Sequence, residues 1–264
     1  MEFLSYIFAA LIGISLGLIG AGGSILTVPV LVYLAGVNPV LATAYSLFVV
    51  GSTALVGGFQ NLRKGRVDFK TAFVFGLPSI FAVYATRAFI MPAIPDNLGA
   101  IGNFSIDKGT ALLIFFASLM IVTSISMVRE TKKPEVDHIE KQYNYPLILV
   151  EGIGVGVLTG MVGAGGGFLI IPALVLFAGL EMKLAVGTSL FIIAAKSLIG
   201  FIGDIQTGYD ISWNFLLLFT AFSISGIFLG TWLGKFVDGR KLKKGFGWFV
   251  LIMGIYMVLK ETMF

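Results

Sequence analysis

A glycine-rich segment occurs twice in the chain, and its residue types are suited to binding an anion through the backbone. The second copy, Gly160–Pro172, reads GMVGAGGGFLIIP, and the first copy, Gly17–Pro29, reads GLIGAGGSILTVP. Glycine lets the backbone turn sharply and approach another group closely, because it has no Cβ. In each copy an apolar run ends at the glycines and a short apolar segment begins again. The N–H groups at such a restart lack helical partners and could hold an anion.

Four polar side chains near the glycines could complete an anion site. We call Gly20–Ser24 the first tip and Gly163–Gly167 the second tip. Hydroxyl groups on the segments that follow the tips could donate to substrate oxygens, or they could bond to backbone carbonyls and join helices. The glycines could likewise serve only close helix packing, but two copies at equivalent positions favour a site. The predicted substrate-binding residues are Gly20, Ala21, Gly22, Gly23, Ser24, Ser46, Gly163, Ala164, Gly165, Gly166, Gly167, Thr188, Ser189 and Lys196.

Lys196 is the most informative of these side chains. It lies about 20 Å from the start of the apolar segment Met182–Gly203, at the rise of an α-helix. An ionisable group at that depth is destabilising by several kcal/mol unless it faces a cavity or a partner, so it is a candidate site residue whose charge complements an anion. The alternative is that Lys196 extends to the membrane surface. Arg87 lies near the end of its own apolar segment, and its side chain is expected to extend to the membrane surface.

The composition indicates an all-α integral membrane protein. Of 264 residues, 57% are hydrophobic and 12% are charged, with a mean hydropathy of +0.98. The chain divides into apolar segments long enough to cross the hydrocarbon core as helices, and the alternation expected of barrel strands is absent. The sequence shows no paired carboxylates, metal-ligand cluster or activated serine within these segments, so no enzyme, cofactor or metal is predicted. The net charge of +4 arises in loops and does not indicate a nucleic-acid partner.

Ten apolar segments are predicted, five in each half of the chain. Two of them, Ser24–Leu34 and Gly167–Ala178, span only about half the hydrocarbon core, so they could be re-entrant or could cross fully. Pro29 and Pro172 could bend these short segments. The other predicted segments are Phe3–Gly20, Pro39–Leu62, Val67–Met91, Ile106–Val128, Tyr145–Val162, Met182–Gly203, Ile211–Val237 and Leu242–Lys260.

The two halves are an internal repeat. Aligned without gaps at an offset of 143 residues, Gly17–Gly65 matches the later copy at roughly two positions in five, and the matches include glycines and prolines. We therefore predict an N-terminal repeat at 1–128, a connector at 129–144 and a C-terminal repeat at 145–264.

The charged loops predict that the repeats are inverted in the membrane. Lysine and arginine are concentrated at 63–70, 129–141 and 235–244, which the positive-inside rule places in the cytoplasm. The 63–70 loop is basic, whereas its repeat equivalent, Asp204–Asp210, is acidic and is expected outside. Both termini are then external. Inverted repeats with paired short, glycine-interrupted segments are typical of secondary transporters that bind substrate near the middle of the membrane.

The doubled motif resembles that of the sulfite exporter TauE/SafE family, also called TSUP. The resemblance rests on both glycine segments with their prolines, on Ser46-Leu47-Phe48 and Ser189-Leu190-Phe191, and on the basic stretch Arg63–Asp68. It extends over both halves of the chain. It implies export or import of sulfite, sulfonates such as sulfoacetate, or taurine-derived anions across the bacterial inner membrane. The acidic loop Asp204–Asp210 departs from the basic stretch, and opposite membrane sides account for the difference.

The sequence therefore favours a secondary anion transporter that exports by alternating access, with the lipid bilayer and a small anion as its partners. An anion channel, an importer of a related anion and an intramembrane enzyme are the alternatives. An oligomer is possible but is not indicated. No buried carboxylate is evident as an ion carrier, so export driven by the membrane potential is preferred to symport.

Overall fold

Ten helices run through the part of the chain that the structure describes, five in each half. The structure is a computed structural model, and it describes residues 2–101, 104–128, 145–176, 178–234, 236 and 239–263. The first half contains α1 (Glu2–Ile19), α2 (Thr27–Tyr33), α3 (Pro39–Arg63), α4 (Phe69–Ala93) and α5 (Lys108–Val128). The second half contains α6 (Tyr145–Val162), α7 (Gly167–Leu176), α8 (Met182–Gln206), α9 (Trp213–Leu233) and α10 (Gly239–Met263).

The predicted all-α membrane fold is confirmed. Among the described helices, α3, α4, α8, α9 and the Lys108–Ile125 part of α5 are long and apolar enough to cross a membrane. The outer surface of the bundle is apolar as well. The aromatic side chains of Phe73 and Phe81 are exposed by 65% and 71%, as expected of a surface that lipid covers. The predicted connector 129–144, with the basic loop 129–141, lies outside the described residues.

Helices pack reciprocally between the two halves. At the centre, α3 packs against α8. The helix α1 packs against α9, and the equivalent helices of the other half, α6 and α4, also pack against each other. The helix α3 also packs against α9, and the equivalent helices α8 and α4 pack against each other in the same way. The helix α5 packs against its own equivalent, α10. In these eight helices, each helix of one half therefore contacts the other half in the same way as its equivalent does.

Small residues bring α1 and α9 into direct backbone contact. A Cβ built on Gly13 would lie 1.8 Å from the Ser223 carbonyl oxygen, and one built on Gly226 would lie 2.1 Å from the Ala10 carbonyl oxygen. The α4–α6 pair uses the same device, because a Cβ on Gly156 would lie 2.7 Å from the Ser79 carbonyl oxygen. Close backbone approach of this kind is the usual means by which membrane helices associate.

Gly13→Ala is expected to lower the free energy of unfolding by about 1–3 kcal/mol, because the added methyl group overlaps the backbone of α9. Gly154→Ala is the matched control, since Gly154 is exposed in α6 and its Cβ would meet nothing within 4 Å. Thermal unfolding in detergent measures both. Equal midpoints for the two variants would contradict the close contact between α1 and α9.

The two tips differ in backbone conformation. At the first tip, Gly20 has a φ of 76°, and the chain continues as a 3₁₀ turn, Ala21–Leu26, before α2 begins. The predicted short apolar segment Ser24–Leu34 corresponds to a short apolar helical stretch, Gly23–Tyr33, whose first residues form the tighter 3₁₀ turn. At the second tip, Gly163, Gly165 and Gly166 all have positive φ, and α7 begins directly at Gly167. Only the second tip is followed at once by an α-helix.

The bundle has two distinguishable ends. We call the end that carries the α3–α4 loop the basic end, because Arg63, Lys64 and Arg66 lie there. The helix α8 begins at this end, where the Asp68 backbone N–H donates to Thr188 Oγ1 over 2.9 Å. The opposite end carries an antiparallel hairpin of β1 (Asn97–Ile101) and β2 (Phe104–Asp107), which the sequence did not predict. We call it the β-hairpin end.

Asp107 joins the β hairpin to α5. Its Oδ1 accepts a 2.9 Å hydrogen bond from the Thr110 backbone N–H, so the carboxylate caps the first turn of the helix. Hydrogen bonding from the Thr110 side chain lowers the pKa of Asp107. The negatively charged cap therefore persists at neutral pH and fixes the start of α5.

Candidate functional site

The second tip is enclosed by helices from both halves of the chain. Gly163–Gly167 are all buried. A Cβ on Gly163 would lie 2.3 Å from the Thr43 carbonyl oxygen of α3, and one on Gly165 would lie 2.6 Å from Val50 Cγ1 of the same helix. The tip therefore packs against α3 at two points. Gly163 contacts Thr43 near the β-hairpin end, and Gly165 contacts Val50 nearer the middle of the bundle. The backbone of the tip is therefore enclosed by protein in this conformation.

The side-chain amino group of Lys196 lies against the second tip. The side chain is fully buried, and its Nζ donates a 3.0 Å hydrogen bond to Thr159 Oγ1 on α6. A Cβ on Gly166 would lie 2.9 Å from the same Nζ. Lys196 therefore does not extend to the membrane surface, and its role in binding an anion stays a prediction. Within the described residues, Lys196 forms no ion pair.

Two serine hydroxyls near the second tip are buried without a hydrogen-bond partner in the described residues, at Ser46 and Ser197. Ser197 Oγ would lie 3.4 Å from a Cβ on Gly165. Ser46 lies on α3 between Thr43 and Val50, the two positions that contact the tip, and helical periodicity puts all three on one face. A buried hydroxyl without a partner is destabilising by about 1–3 kcal/mol, so both groups are available to a polar solute.

A buried ion pair lies beside the second tip at the β-hairpin end. Arg87 Nη1 donates to Asp204 Oδ1 over 3.2 Å and to Thr43 Oγ1 over 2.9 Å. Both charged side chains are almost completely buried. The expectation that Arg87 extends to the membrane surface is therefore wrong, because an acidic partner on α8 lies within reach. Asp204 is the acidic partner of Arg87, whereas Lys196 has no acidic partner among the described residues.

The first tip has a different environment from the second. A Cβ on Gly20 would lie 2.6 Å from Val186 Cγ1, near the basic end of α8. Val186 is the repeat equivalent of Thr43, so each tip contacts the same position of the opposite half. Ser189 lies one turn further along α8, and its Oγ donates to the Val186 carbonyl oxygen over 2.8 Å. The two tips thus reach toward opposite ends of the α3–α8 pair.

The structure brings only some of the predicted site residues together. Gly163–Gly167 and Lys196 meet at the second tip, and helical periodicity puts Ser46 on the face of α3 that contacts this tip. Ser189 and the first tip lie toward the basic end, and Thr188 bonds to the α3–α4 loop instead of facing either tip. Whether any of these residues binds substrate stays a prediction.

The sequence interpretation missed Thr159, Ser197 and the Arg87–Asp204 pair. Thr159 lies one turn before the second tip, and its backbone carbonyl accepts from the Gly163 N–H over 2.9 Å. Arg87 and Asp204 carried a usable signal, since both are ionisable groups inside apolar segments and have opposite charges. Arg87 and Asp204 meet because α4 packs against α8, and this packing cannot be predicted from the sequence of either helix alone.

Comparison with known proteins agrees with a transport role. The family model described as "Sulfite exporter TauE/SafE" matches residues 5–257. A "Probable membrane transporter protein" of Xylella fastidiosa strain 9a5c is 30% identical over 258 residues, which are 95% of this chain and 92% of that protein. "Probable membrane transporter protein YunE" of Bacillus subtilis is 28% identical, over 98% of this chain and 96% of its own length. No solved structure matches the chain significantly.

Proposed function

Because this multi-pass membrane transporter belongs to the sulfite exporter TauE/SafE family, we propose that it moves small sulfur oxyanions across the bacterial cytoplasmic membrane. The proposed substrates are sulfite and sulfonates such as sulfoacetate or taurine-derived anions. The proposed direction is export, and the proposed mechanism is alternating access. The observation that carries this proposal is the buried amino group of Lys196 beside the second tip, which has no acidic partner among the described residues.

A negatively charged solute is the partner that this arrangement favours. The ammonium group of Lys196 has three donors, one of which is used by Thr159 Oγ1. The remaining donors, the hydroxyls of Ser46 and Ser197 and the first N–H groups of α7 are all suited to an oxygen-rich anion. A buried cation without a counter-ion is destabilising, so binding an anion relieves an existing penalty.

The proposal includes the inverted arrangement of the two halves. It is supported by the reciprocal helix pairs and by the exchanged contacts Gly20–Val186 and Gly163–Thr43. The basic end then faces the cytoplasm, and the β-hairpin end faces outward with both termini. Each hairpin enters the membrane from one side, and its tip lies toward the other side. Two such hairpins in opposite orientations can close the substrate path toward either side in turn, as alternating access requires.

Closure of the second tip indicates how access would alternate. The contact of the tip with Thr43 and Val50 closes the route along α3 toward the β-hairpin end. The contact of Gly20 with Val186 closes the equivalent route toward the basic end. Separation of one contact at a time would expose the anion to one side of the membrane and keep the other side sealed.

Transport of a singly charged sulfonate is expected to respond to membrane potential. Moving one charge through 100 mV releases about 2.3 kcal/mol, which supports a concentration ratio of roughly 40-fold. Proteoliposomes with a potassium-diffusion potential can measure this ratio with a radiolabelled sulfonate, and protein-free liposomes are the control. A ratio that follows a pH gradient but not the potential would contradict uniport and favour proton coupling.

The same preparation separates the competing functions. Saturable flux that is accelerated by unlabelled anion on the opposite side indicates a transporter, whereas unitary currents in a planar bilayer indicate a channel. Net accumulation against the potential would identify an importer. Absence of flux for sulfite, sulfoacetate and taurine alike would reject the proposed substrate class.

A further inference from the structure

The buried Arg87–Asp204 pair is held by only one nitrogen of the guanidinium group. Arg87 Nη1 makes both described hydrogen bonds, to Asp204 Oδ1 and to Thr43 Oγ1. Among the residues that the structure describes, Arg87 Nε and Nη2 have no hydrogen-bond partner, although the side chain is fully buried. A guanidinium group normally uses its paired N–H groups in a bidentate fork, so this pairing leaves one complete fork unused.

Three contacts fix the position of the guanidinium group that carries the unused fork. Thr43 and Asp204 fix Nη1, and they belong to α3 and α8 respectively. A Cβ on Gly203 would lie 3.0 Å from Arg87 Cβ, so α4 and α8 approach closely at this point. Residues Thr86–Ile90 also form a π-helical turn, a local irregularity that is frequent at functional sites. These contacts orient the guanidinium group before any ligand binds.

The fork is connected to the second tip through Thr43. The Thr43 hydroxyl accepts from Arg87, and the Thr43 backbone forms the wall against which Gly163 packs. Arg87 is therefore one residue away from the tip, on the side of the β-hairpin end. Separation of Gly163 from Thr43 would therefore open space beside Arg87.

We propose that the Nε–Nη2 edge of Arg87 is an oxyanion-binding subsite between the second tip and the β-hairpin end. It takes a group with two oxygens in one plane, such as sulfite or the head of a sulfonate, and it does not favour a halide ion. The subsite rests on the proposed function and deepens it, because it would select oxyanions between the second tip and the β-hairpin end. Asp204 orients the fork and weakens anion binding through its own charge.

Two substitutions at the pair are expected to have opposite effects on binding. Arg87→Lys keeps the charge but removes the fork, and it should raise the half-saturating concentration of methanesulfonate about tenfold. Asp204→Asn keeps the shape but removes the opposing charge, and it should lower that concentration about tenfold. The measurement is the rise in unfolding temperature of purified protein with increasing methanesulfonate at constant ionic strength, with chloride as the comparison anion.

The opposite signs distinguish binding from a merely structural ion pair. A structural pair predicts that both variants unfold at lower temperature without ligand and respond equally to methanesulfonate. Unchanged half-saturation in Arg87→Lys would overturn the subsite, as would equal stabilisation of the wild type by chloride or no stabilisation by methanesulfonate. If wild-type flux nevertheless persists in proteoliposomes, the proposed transport function stands without the subsite. If flux is absent but the opposite shifts occur, the subsite stands and the transport proposal fails.

Discussion

Lys196→Met is expected to reduce the rate of sulfur-oxyanion flux about 100-fold, because it removes the unbalanced charge from the second tip. Methionine has a similar length and fills the space without a polar group. The buried ammonium group currently satisfies one of its three donors through Thr159. The variant should therefore fold as well as the wild type or better, so loss of flux cannot be attributed to loss of the fold.

The matched control for this prediction is Lys183→Met. Lys183 lies on the same helix, α8, but its side chain is exposed at the basic end. Removing its charge changes the net charge of the protein equally and should alter flux less than twofold, because an exposed charge is screened by solvent. Initial rates of labelled sulfite flux in proteoliposomes provide the comparison. Equal rates for both variants would remove Lys196 from the site.

Gly166→Leu is expected to abolish flux and to lower the unfolding temperature. Gly166 has a φ of 66°, and a Cβ there would lie 1.8 Å from Thr159 Cγ2 and 2.9 Å from Lys196 Nζ. A leucine side chain must displace the ammonium group and fill the space beside the tip. Overpacking of this kind is destabilising by about 1–3 kcal/mol, in addition to the backbone strain.

Gly179→Leu separates backbone strain from obstruction of the site. Gly179 also has a positive φ, of 61°, but a Cβ there would meet nothing within 4 Å. Its leucine variant should share the strain and keep most of the flux. The experiment measures flux and unfolding temperature for both variants. Similar loss of flux in the two would indicate that strain alone accounts for the effect of Gly166→Leu.

The helices could be predicted well because each depends on local properties of the chain. The predicted segment Tyr145–Val162 is identical to α6, and the predicted start of α8 at Met182 is also observed. The length of each apolar run and the positions of the glycines determine where these helices begin and end, and tertiary contacts change these positions little. For Lys196 the sequence left two outcomes open, since an ionisable residue deep in an apolar segment must face the protein interior or extend to the surface. The structure shows that Lys196 is buried.

Features that depend on packing between distant segments were not predictable. The Arg87–Asp204 pair joins positions 117 residues apart, and it forms because Gly203 allows α4 and α8 to approach closely. The 3₁₀ turn Ala21–Leu26 differs from the second tip although the glycine motifs are nearly identical. The motifs differ at Ser24 and Gly167, where the first copy lacks the final glycine, and this difference in sequence accompanies the difference in conformation.

The two tips are chemically unequal within a repeated fold. Thr53, the repeat equivalent of Lys196, donates to the Val49 carbonyl oxygen and accepts from the Ser223 hydroxyl, so the first half has a hydroxyl where the second has a lysine amino group. This difference places the positive charge at the second tip. Binding of an anion there, with access alternating on either side, requires only one charged site.

The most direct test of a charged anion site at the second tip is exchange of labelled sulfite in proteoliposomes, with the wild type and Lys196→Met compared at equal protein content. The account predicts saturable exchange by the wild type that unlabelled sulfite inside the vesicles accelerates, and exchange near the protein-free background in the variant. Exchange of equal rate and half-saturation in the two proteins would contradict it.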